Sequence, residues 1–586
     1  MASDWLVAVA LVLYGLTLRS VPADRVGPYG LVPALARPVL VAVGLVVVGI
    51  AMALGSRSLV VNRLRAYLLV LIFFLYGTAA LVYREGRYAW LYKTIGVVQY
   101  VNAHGALDRH IDIYQNWPGF FALAAWFDKV AGVSDPLAYA KWAQLGFELL
   151  GIAVLAAVLR ALPISERERW TALFLYAATN WIAQDYFSPQ ALGLVLSLGT
   201  LGIALRWLVT PGESNRVGRL LERTGRALHL RSRWEKGTAA RRSSAEVTAA
   251  VVVLMVVYFV LVFVHELSPY LVFAQLGGLA LVGWLRPGWS VVGLAAIAFG
   301  YLLPRFSFVN QHFGVLASVG AFFSNVAPPS TYVGHLSSGA HLDQLAADAL
   351  SVGMWLLGAL GAYLRWRRGR SVLVMALFAA MPATVLVAQP YGGEAILRVY
   401  LFSLPWTAAL AACAIWEILP SVTWSRVTAL TVVLGGCLTL FSAAFFGDDQ
   451  IYVMPTAEVH ALESFYRSAP GGPVYQLNDN FPGLVTARYN LFPQSYLTGP
   501  YGVMPNGEIG RRAGPAVARA LSDAGATYRH PAYVVLAPSV QLYGRALGLD
   551  RPGEYTDLYR SLLSDPQWRI VLHRDGILIA ELPAGT

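Results

Sequence analysis

Apolar residues run in long stretches through most of the first 446 positions, separated by short polar turns, and then break into short alternating runs in the tail. Runs of about 17–25 residues are long enough to cross a hydrocarbon core of about 30 Å. The pattern predicts about thirteen membrane helices, near 5–20, 31–53, 66–83, 138–160, 168–184, 189–209, 247–265, 269–285, 289–304, 346–365, 371–389, 399–418 and 428–446. The apolar run 120–130 is too short to cross and carries Asp128 and Lys129. It predicts a helix lying at the interface or dipping in. Before it, Trp90, Leu91, Ile95, Val98 and Val101 recur at helical spacing, with Lys93, Gln99 and Asn102 among them. That spacing predicts a helix along the membrane surface.

After about position 447 the period shortens. "GPVYQL" and "AYVVLAP" read as buried strands, and "WRIVLHRDGILIAEL" reads as a hairpin turning at Asp575-Gly576. Helical patterns fall near 456–468, 513–524 and 554–564. The expected fold is an α-helical polytopic membrane protein, residues 1–446, with a small extracytoplasmic α/β domain at 447–586.

Composition agrees with a membrane chain: 57% of residues are hydrophobic and 13% charged, against about 25% charged in a soluble domain. The net charge of +11 does not point to nucleic acid, because the basic residues fall in short connectors and in the segment Arg206 to Arg242. With the N-terminus in the cytoplasm, the inner loops hold Arg57, Arg63 and Arg65; Arg160, Arg167 and Arg169; the basic loop 210–246; Arg286; the "RWRRGR" run; and Arg426. This obeys the positive-inside rule of a plasma-membrane protein, and a crossing at 120–130 would reverse it. The first run lacks a basic flank and a cleavage site, so it reads as a retained helix. Cys413 and Cys437 sit inside apolar runs, with no metal spacing and no disulfide framework.

On this topology the outer face gathers the loop 84–137, the turns "QDYFSP" and "HELSPY", the loop 305–345, "PYGGEAILR" and the tail. A general base needs a carboxylate within reach of the nucleophile. Glu85, Asp112 and Asp185 are the candidate catalytic acids, and pairing of Asp112 with Arg109 or His110 is the bland alternative. Tyr114 and Trp117 suit stacking on a sugar ring or an apolar acceptor. Ser188-Pro189 reads as a helix start, with Asn180, Gln184 and Gln190 near it. His265 and Glu266 end a span, and a lone His-Glu pair is a weak metal signal. Glu394 and Arg398 stand four apart, the spacing of a helical salt bridge. A guanidinium at the membrane edge also suits bidentate phosphate binding. Arg305, Asn310, Gln311, His312, Asn325 and "APPSTY" belong to a loop long enough to cover a cavity.

The stretches "YKTIGVVQYVNAHG", "DIYQNWPGFFALAAWF", "NWIAQDYFSPQAL", "HELSPY" and "GGEAILRVYLFSLPW", in this order, resemble the GT-C class of integral-membrane glycosyltransferases, most of all its actinobacterial branch. The resemblance implies a polyprenyl-phosphate sugar donor, a glycan, lipid or protein acceptor of the cell envelope, and transfer on the outer face, usually with inversion. It places the base at Glu85 or Asp112, and the phosphate-gripping arginine at Arg398. Lys93, Gln190, Glu394, His265, Glu266, Tyr114 and Trp117 are the further candidate substrate contacts. Many relatives carry an Asp-Glu or Asp-aromatic pair soon after the first core span, where this chain reads "YREGRY". Some relatives use a divalent metal, Mg or Mn, and others none, so no cofactor is fixed. Two other classes compete: a transporter or flippase for a lipid-linked solute, and a non-catalytic envelope-assembly scaffold.

Overall fold

A long apolar segment in lipid has no water for its N–H and C=O groups, so helix is the state that satisfies them. The computed structural model describes the chain except residues 1, 19–20, 22–25, 36, 211–214, 221–241, 327–334, 420–421, 479, 499–501, 505–508, 510–512, 526–529 and 585–586. Every predicted span overlaps a helix, but 66–83 is broken at Gly77 and 371–389 by the 3-10 turn Met381–Thr384. Among the described residues, seven helices are long and apolar enough to cross a membrane: Arg37–Gly55, Pro189–Leu208, Ser244–Val264, Ser290–Phe313, Ser338–Arg367, Ala395–Ile418 and Thr423–Tyr452. Ala2–Thr17, Ala143–Leu159, Ser268–Leu281 and Leu373–Ala388 are shorter apolar helices. Most of the basic loop 210–246, and "APPSTY", lie outside the described residues.

Helix starts follow side-chain caps. Ser165 with Glu168 and Ser243 with Glu246 form capping boxes, and Ser188 accepts from Ala191 N ahead of Pro189. Ala395–Ile418 is the bundle's axis and is buried along nearly its whole length. It packs against Glu166–Thr179, Ser338–Arg367 and Leu373–Ala380. Small residues let backbones approach there: a Cβ on Gly361 would stand 1.8 Å from the Leu410 carbonyl oxygen.

The tail forms one five-stranded sheet: β1 (Val474–Gln476), β2 (Gln494–Tyr496), β3 (Ala532–Leu536), β4 (Arg569–Arg574) and β5 (Ile577–Leu582), ordered β2-β1-β3-β5-β4. β1 runs parallel to β2 and β3, while β5 is antiparallel to β3 and β4. The β4–β5 turn holds Asp575 at φ 53° and Gly576 at φ 77°, the left-handed pair that a tight hairpin needs.

The helix Ala89–His104 is covered on several faces, with Trp90 left 39% exposed. Leu91, Tyr92, Ile95, Val97, Val98 and Tyr100 are all buried, in a core shared with Phe120, Phe121 and the tail residues Leu462, Phe465, Leu484 and Phe492. A Cβ on Gly96 would meet the Leu484 carbonyl oxygen at 1.9 Å. The tail sits directly on this helix. The neighbouring helix Gly119–Ala131 does keep an exposed apolar side, with Trp126 and Val130 60% and 67% exposed.

Candidate functional site

At the end of the bundle that carries the tail, polar side chains from distant parts of the chain join in one network. Arg87 is buried and its Nη2 lies 2.5 Å from Asp449 Oδ1. It also donates to the Phe445 carbonyl (2.9 Å) and to Gln144 Oε1 (3.3 Å). Tyr83 donates its hydroxyl to Asp449 Oδ2 at 2.7 Å. Gln144 passes the chain on, donating from Nε2 to Asp185 Oδ1 at 2.7 Å. Asn180 donates to Glu148 Oε2 at 3.0 Å. Burial pushes the Asp185 carboxyl up to about 7, against the Gln144 amide, which favours the ionised form.

A small cleft, with room for little more than a water molecule, opens over this network, lined by Glu85, Arg87, Tyr88, Lys141, Gln144 and Tyr186, with apolar Ala79, Ala80, Leu91 and Ala140. Glu85 is thus the sequence-predicted acid that lines a cleft. Asp185 lies one hydrogen bond behind it and holds Gln144.

A second cluster surrounds Arg398. The expected helical pair is formed, with Nη2 donating to Glu394 Oε2 at 2.6 Å. The Tyr391 ring lies 5.2 Å from the guanidinium carbon, and Tyr391 donates its hydroxyl to Glu266. Arg398 is 5% exposed, and its Nε and Nη1 are buried without partners. His265 Nδ1 accepts from the backbone N–H of Ser268 at 3.1 Å, leaving Nε2 as the proton-bearing nitrogen, 3.7 Å from Glu266 Oε1. Burial lowers the His265 pKa, against the pull of Glu266, which raises it. Burial works to raise Glu266, but His265, the Tyr391 hydroxyl and the field of Arg398 outweigh it and hold the carboxylate below its ordinary value. The pair is a contact that stabilises the Glu266 carboxylate.

Tyr186 and Tyr114 connect the clusters. Tyr186 lines the Glu85 cleft, lies tilted against the Tyr88 ring at 5.4 Å, and sits in the field of Glu394, Arg398 and Glu266. The Tyr114 hydroxyl sits in the field of Tyr186, Asp112, Glu266 and Glu394. Lys93 Nζ lies 5.0 Å from the Tyr114 ring centre and 3.9 Å from Asp112 Oδ2. Asp112 caps the turn Ile113–Asn116, its Oδ1 accepting from Gln115 N at 3.1 Å, while Oδ2 has no hydrogen-bond partner. Trp117 is only 3% exposed, edge-on to Tyr301 at 5.9 Å, so it offers no open face for sugar stacking. Packing has claimed that ring; Tyr301 and Arg305 pin its turn by donating to the Asn116 carbonyl at 2.9 and 3.1 Å. Gln190 is buried with neither amide atom partnered. The site therefore brings Glu85, Asp185, Lys93, Asp112, Tyr114, Glu266, His265, Glu394, Arg398 and Gln190 to one end of the bundle and leaves Trp117 in its core.

Backbone strain marks the same place. Non-glycine residues rarely adopt positive φ, and among the described residues Tyr88, Ala183, Tyr391, Leu484 and Asp575 do. The first three flank Arg87, Asp185 and Glu394–Arg398. Such outliers cost of order 1–3 kcal/mol each and persist where surrounding contacts over-determine them.

Arg87, Gln144, Glu148, Asp449 and Tyr391 are site members that sequence reasoning missed. Glu148 had a readable signal: a carboxylate inside an apolar run. A divalent ion needs oxygen donors. Among the described residues no three His, Cys, Asp or Glu side chains converge. The oxygens Glu148 Oε1, Asn180 Oδ1 and Asp185 Oδ2 are buried and unpartnered, and supply two carboxylates and one amide of the right hardness.

No family model and no curated protein matches this chain. Among solved structures it is similar to ArnT from Cupriavidus metallidurans bound to undecaprenyl phosphate, at 13% identity and TM-score 0.45, over 90% of this chain and 98% of that one. The apo state of the same protein gives 13% and 0.46, over 90% and 99%. The oligosaccharyltransferase of Archaeoglobus fulgidus tethered with an acceptor peptide gives 12% and 0.47, over 88% and 71%.

Proposed function

We propose that the chain is a membrane glycosyltransferase that moves a sugar from a polyprenyl-phosphate donor to a glycan, lipid or protein acceptor of the cell envelope. The observation that carries the reading is Arg398: a buried guanidinium with two unpartnered N–H-bearing nitrogens at the tail-bearing end of the bundle. Buried polar groups are almost always hydrogen-bonded. A guanidinium with open positions asks for an anion with oxygens spaced for a fork, and phosphate meets that demand. Glu394 and Tyr391 hold the side chain in place from the other side.

On this reading Arg398 grips the donor phosphate and stabilises the negative charge that grows as the sugar–phosphate bond breaks. The acceptor hydroxyl lies toward Glu85 or Asp112. One of these carboxylates takes its proton as the oxygen attacks the anomeric carbon. Direct displacement by one acceptor inverts that carbon. Lys93 adds a second cation beside Tyr114. Asp185 positions Gln144 beneath the cleft. A divalent ion would be held by Glu148, Asn180 and Asp185 and would supply fixed positive charge below the cleft.

The test is transfer by the purified protein from a polyprenyl-phosphate hexose or pentose to candidate acceptors. Arg398→Ala should abolish donor binding. Undiminished donor binding in that variant, with no transfer by the wild type, would sink the proposal. Glu85→Gln and Asp112→Asn separate the two bases: the true base loses turnover while donor binding stays. One observation favours transport instead, the carboxylate of Glu148 inside the Ala143–Leu159 helix. Flipping of labelled lipid in proteoliposomes, without transfer, would select that reading.

A further inference from the structure

Gln190 stands apart from the other amides at this end of the bundle. Gln144 bonds Asp185 and Arg87, Gln115 bonds Tyr489, and Asn116 bonds two backbone carbonyls. Gln190 is 4% exposed, and both its Nε2 and its Oε1 are buried with no partner. A leucine would fill that space without leaving polar atoms unsatisfied, each of which costs about 1–3 kcal/mol. The fold gives this amide no structural task.

Its direction is set by the helix Pro189–Ile203. Gly193 is three residues on and shares its face. A Cβ at Gly193 would meet His265 Cβ at 3.1 Å and Ser268 Oγ at 3.0 Å, so that face looks onto the turn carrying Glu266. Four residues before Gln190, Tyr186 sits in the field of Glu394, Arg398 and Glu266. Gln190 thus opens the helix whose Gly193 packs on the turn carrying Glu266, and Glu266 reaches the Arg398 cluster through Tyr391.

We propose that Gln190 reads the sugar of the lipid-linked donor, giving an N–H to one hydroxyl and accepting from another beside the phosphate held by Arg398. The chemistry of the amide selects this ligand. A phosphate could use Nε2 alone and would leave Oε1 facing an anion. A pair of neighbouring hydroxyls satisfies both atoms. A site built to bond a hydroxyl also rejects the analogue that lacks it, because its own groups are then left unpaired. The inference rests on the phosphate role of Arg398.

The experiment compares binding of bare polyprenyl phosphate with that of polyprenyl-phosphate hexose and pentose, for the full-length wild type, Gln190→Leu, Gln190→Met and Arg398→Ala in detergent. The wild type should prefer a sugar-bearing lipid by roughly tenfold or more. Both Gln190 variants should bind the bare lipid as the wild type does and lose that preference. Arg398→Ala should lose both ligands. A Gln190 variant that keeps the full preference, or that loses both ligands equally, overturns the inference while the phosphate reading stands. A wild type that binds neither lipid, or an Arg398→Ala protein that binds both, overturns the phosphate reading and the inference with it.

Discussion

Arg87→Met is the perturbation whose cost the geometry defines best. Arg87 and Asp449 are 6% and 1% exposed and lie 2.5 Å apart. Removing the guanidinium leaves the Asp449 carboxylate buried with the Tyr83 hydroxyl as its remaining donor. It also frees the Phe445 carbonyl and Gln144 Oε1. Breaking one side of such a pair costs about 3–5 kcal/mol, whereas replacing both sides by apolar groups is often neutral. For a chain of this size that loss lowers the unfolding midpoint by roughly 2–4 °C. Arg87→Met with Asp449→Leu should recover most of it. Thermal unfolding of the detergent-solubilised protein, followed by tryptophan fluorescence, measures all four members of the cycle. If Arg87→Met melts within about 1 °C of the wild type, or the double variant melts no higher than the single one, the argument from buried charge is wrong.

Gly96→Val should detach the tail from the first loop, since a Cβ there has only 1.9 Å to the Leu484 carbonyl oxygen; limited proteolysis of the tail should accelerate severalfold, and an unchanged pattern would count against the packing. Asp185 gives a pH dependence. Its carboxyl sits near 7 in the folded chain against an ordinary 3.8, so the folded state holds the proton more tightly than the unfolded one. The stabilisation is full below about pH 4 and is lost as the pH rises through about 7. Melting points measured between these values should fall for the wild type and fall less for Asp185→Asn. Part of the slope should persist, because burial also raises Glu458 to about 7. Equal slopes in the two proteins would refute the assignment.

Helix positions were legible because lipid leaves the backbone few options, and the Asp575-Gly576 hairpin because its turn demands left-handed residues. Two tail elements were not: β2 has three half-buried residues, and the helix Pro538–Leu547 begins at the last residue of "AYVVLAP", separated from the end of β3 by one residue. The gathering of Glu85, Asp185, Glu266, Glu394 and Arg398 was legible as membership of loops on one side. Their partners were not. Arg87 and Asp449 are separated by hundreds of residues, and only helix packing brings them together. In Ala89–His104 the apolar stripe of Leu91, Ile95 and Val98 was legible, and the rest of its burial was not. Tyr92, Gly96 and Tyr100 complete a second buried face, which glycine and tyrosine do not announce.

The core shared by the first loop and the tail has a consequence in time. Gln115 and Tyr489, which hydrogen-bond across that contact, are 374 residues apart. At a synthesis rate of about 5–20 residues per second, the loop helices wait roughly 20–75 s before the surface that covers them has been made. During that interval Tyr92, Ile95, Val98 and Phe121 have no partner from the tail. The young chain must therefore rest this apolar face on the bilayer or on a chaperone, and release it when the last fifth of the protein arrives.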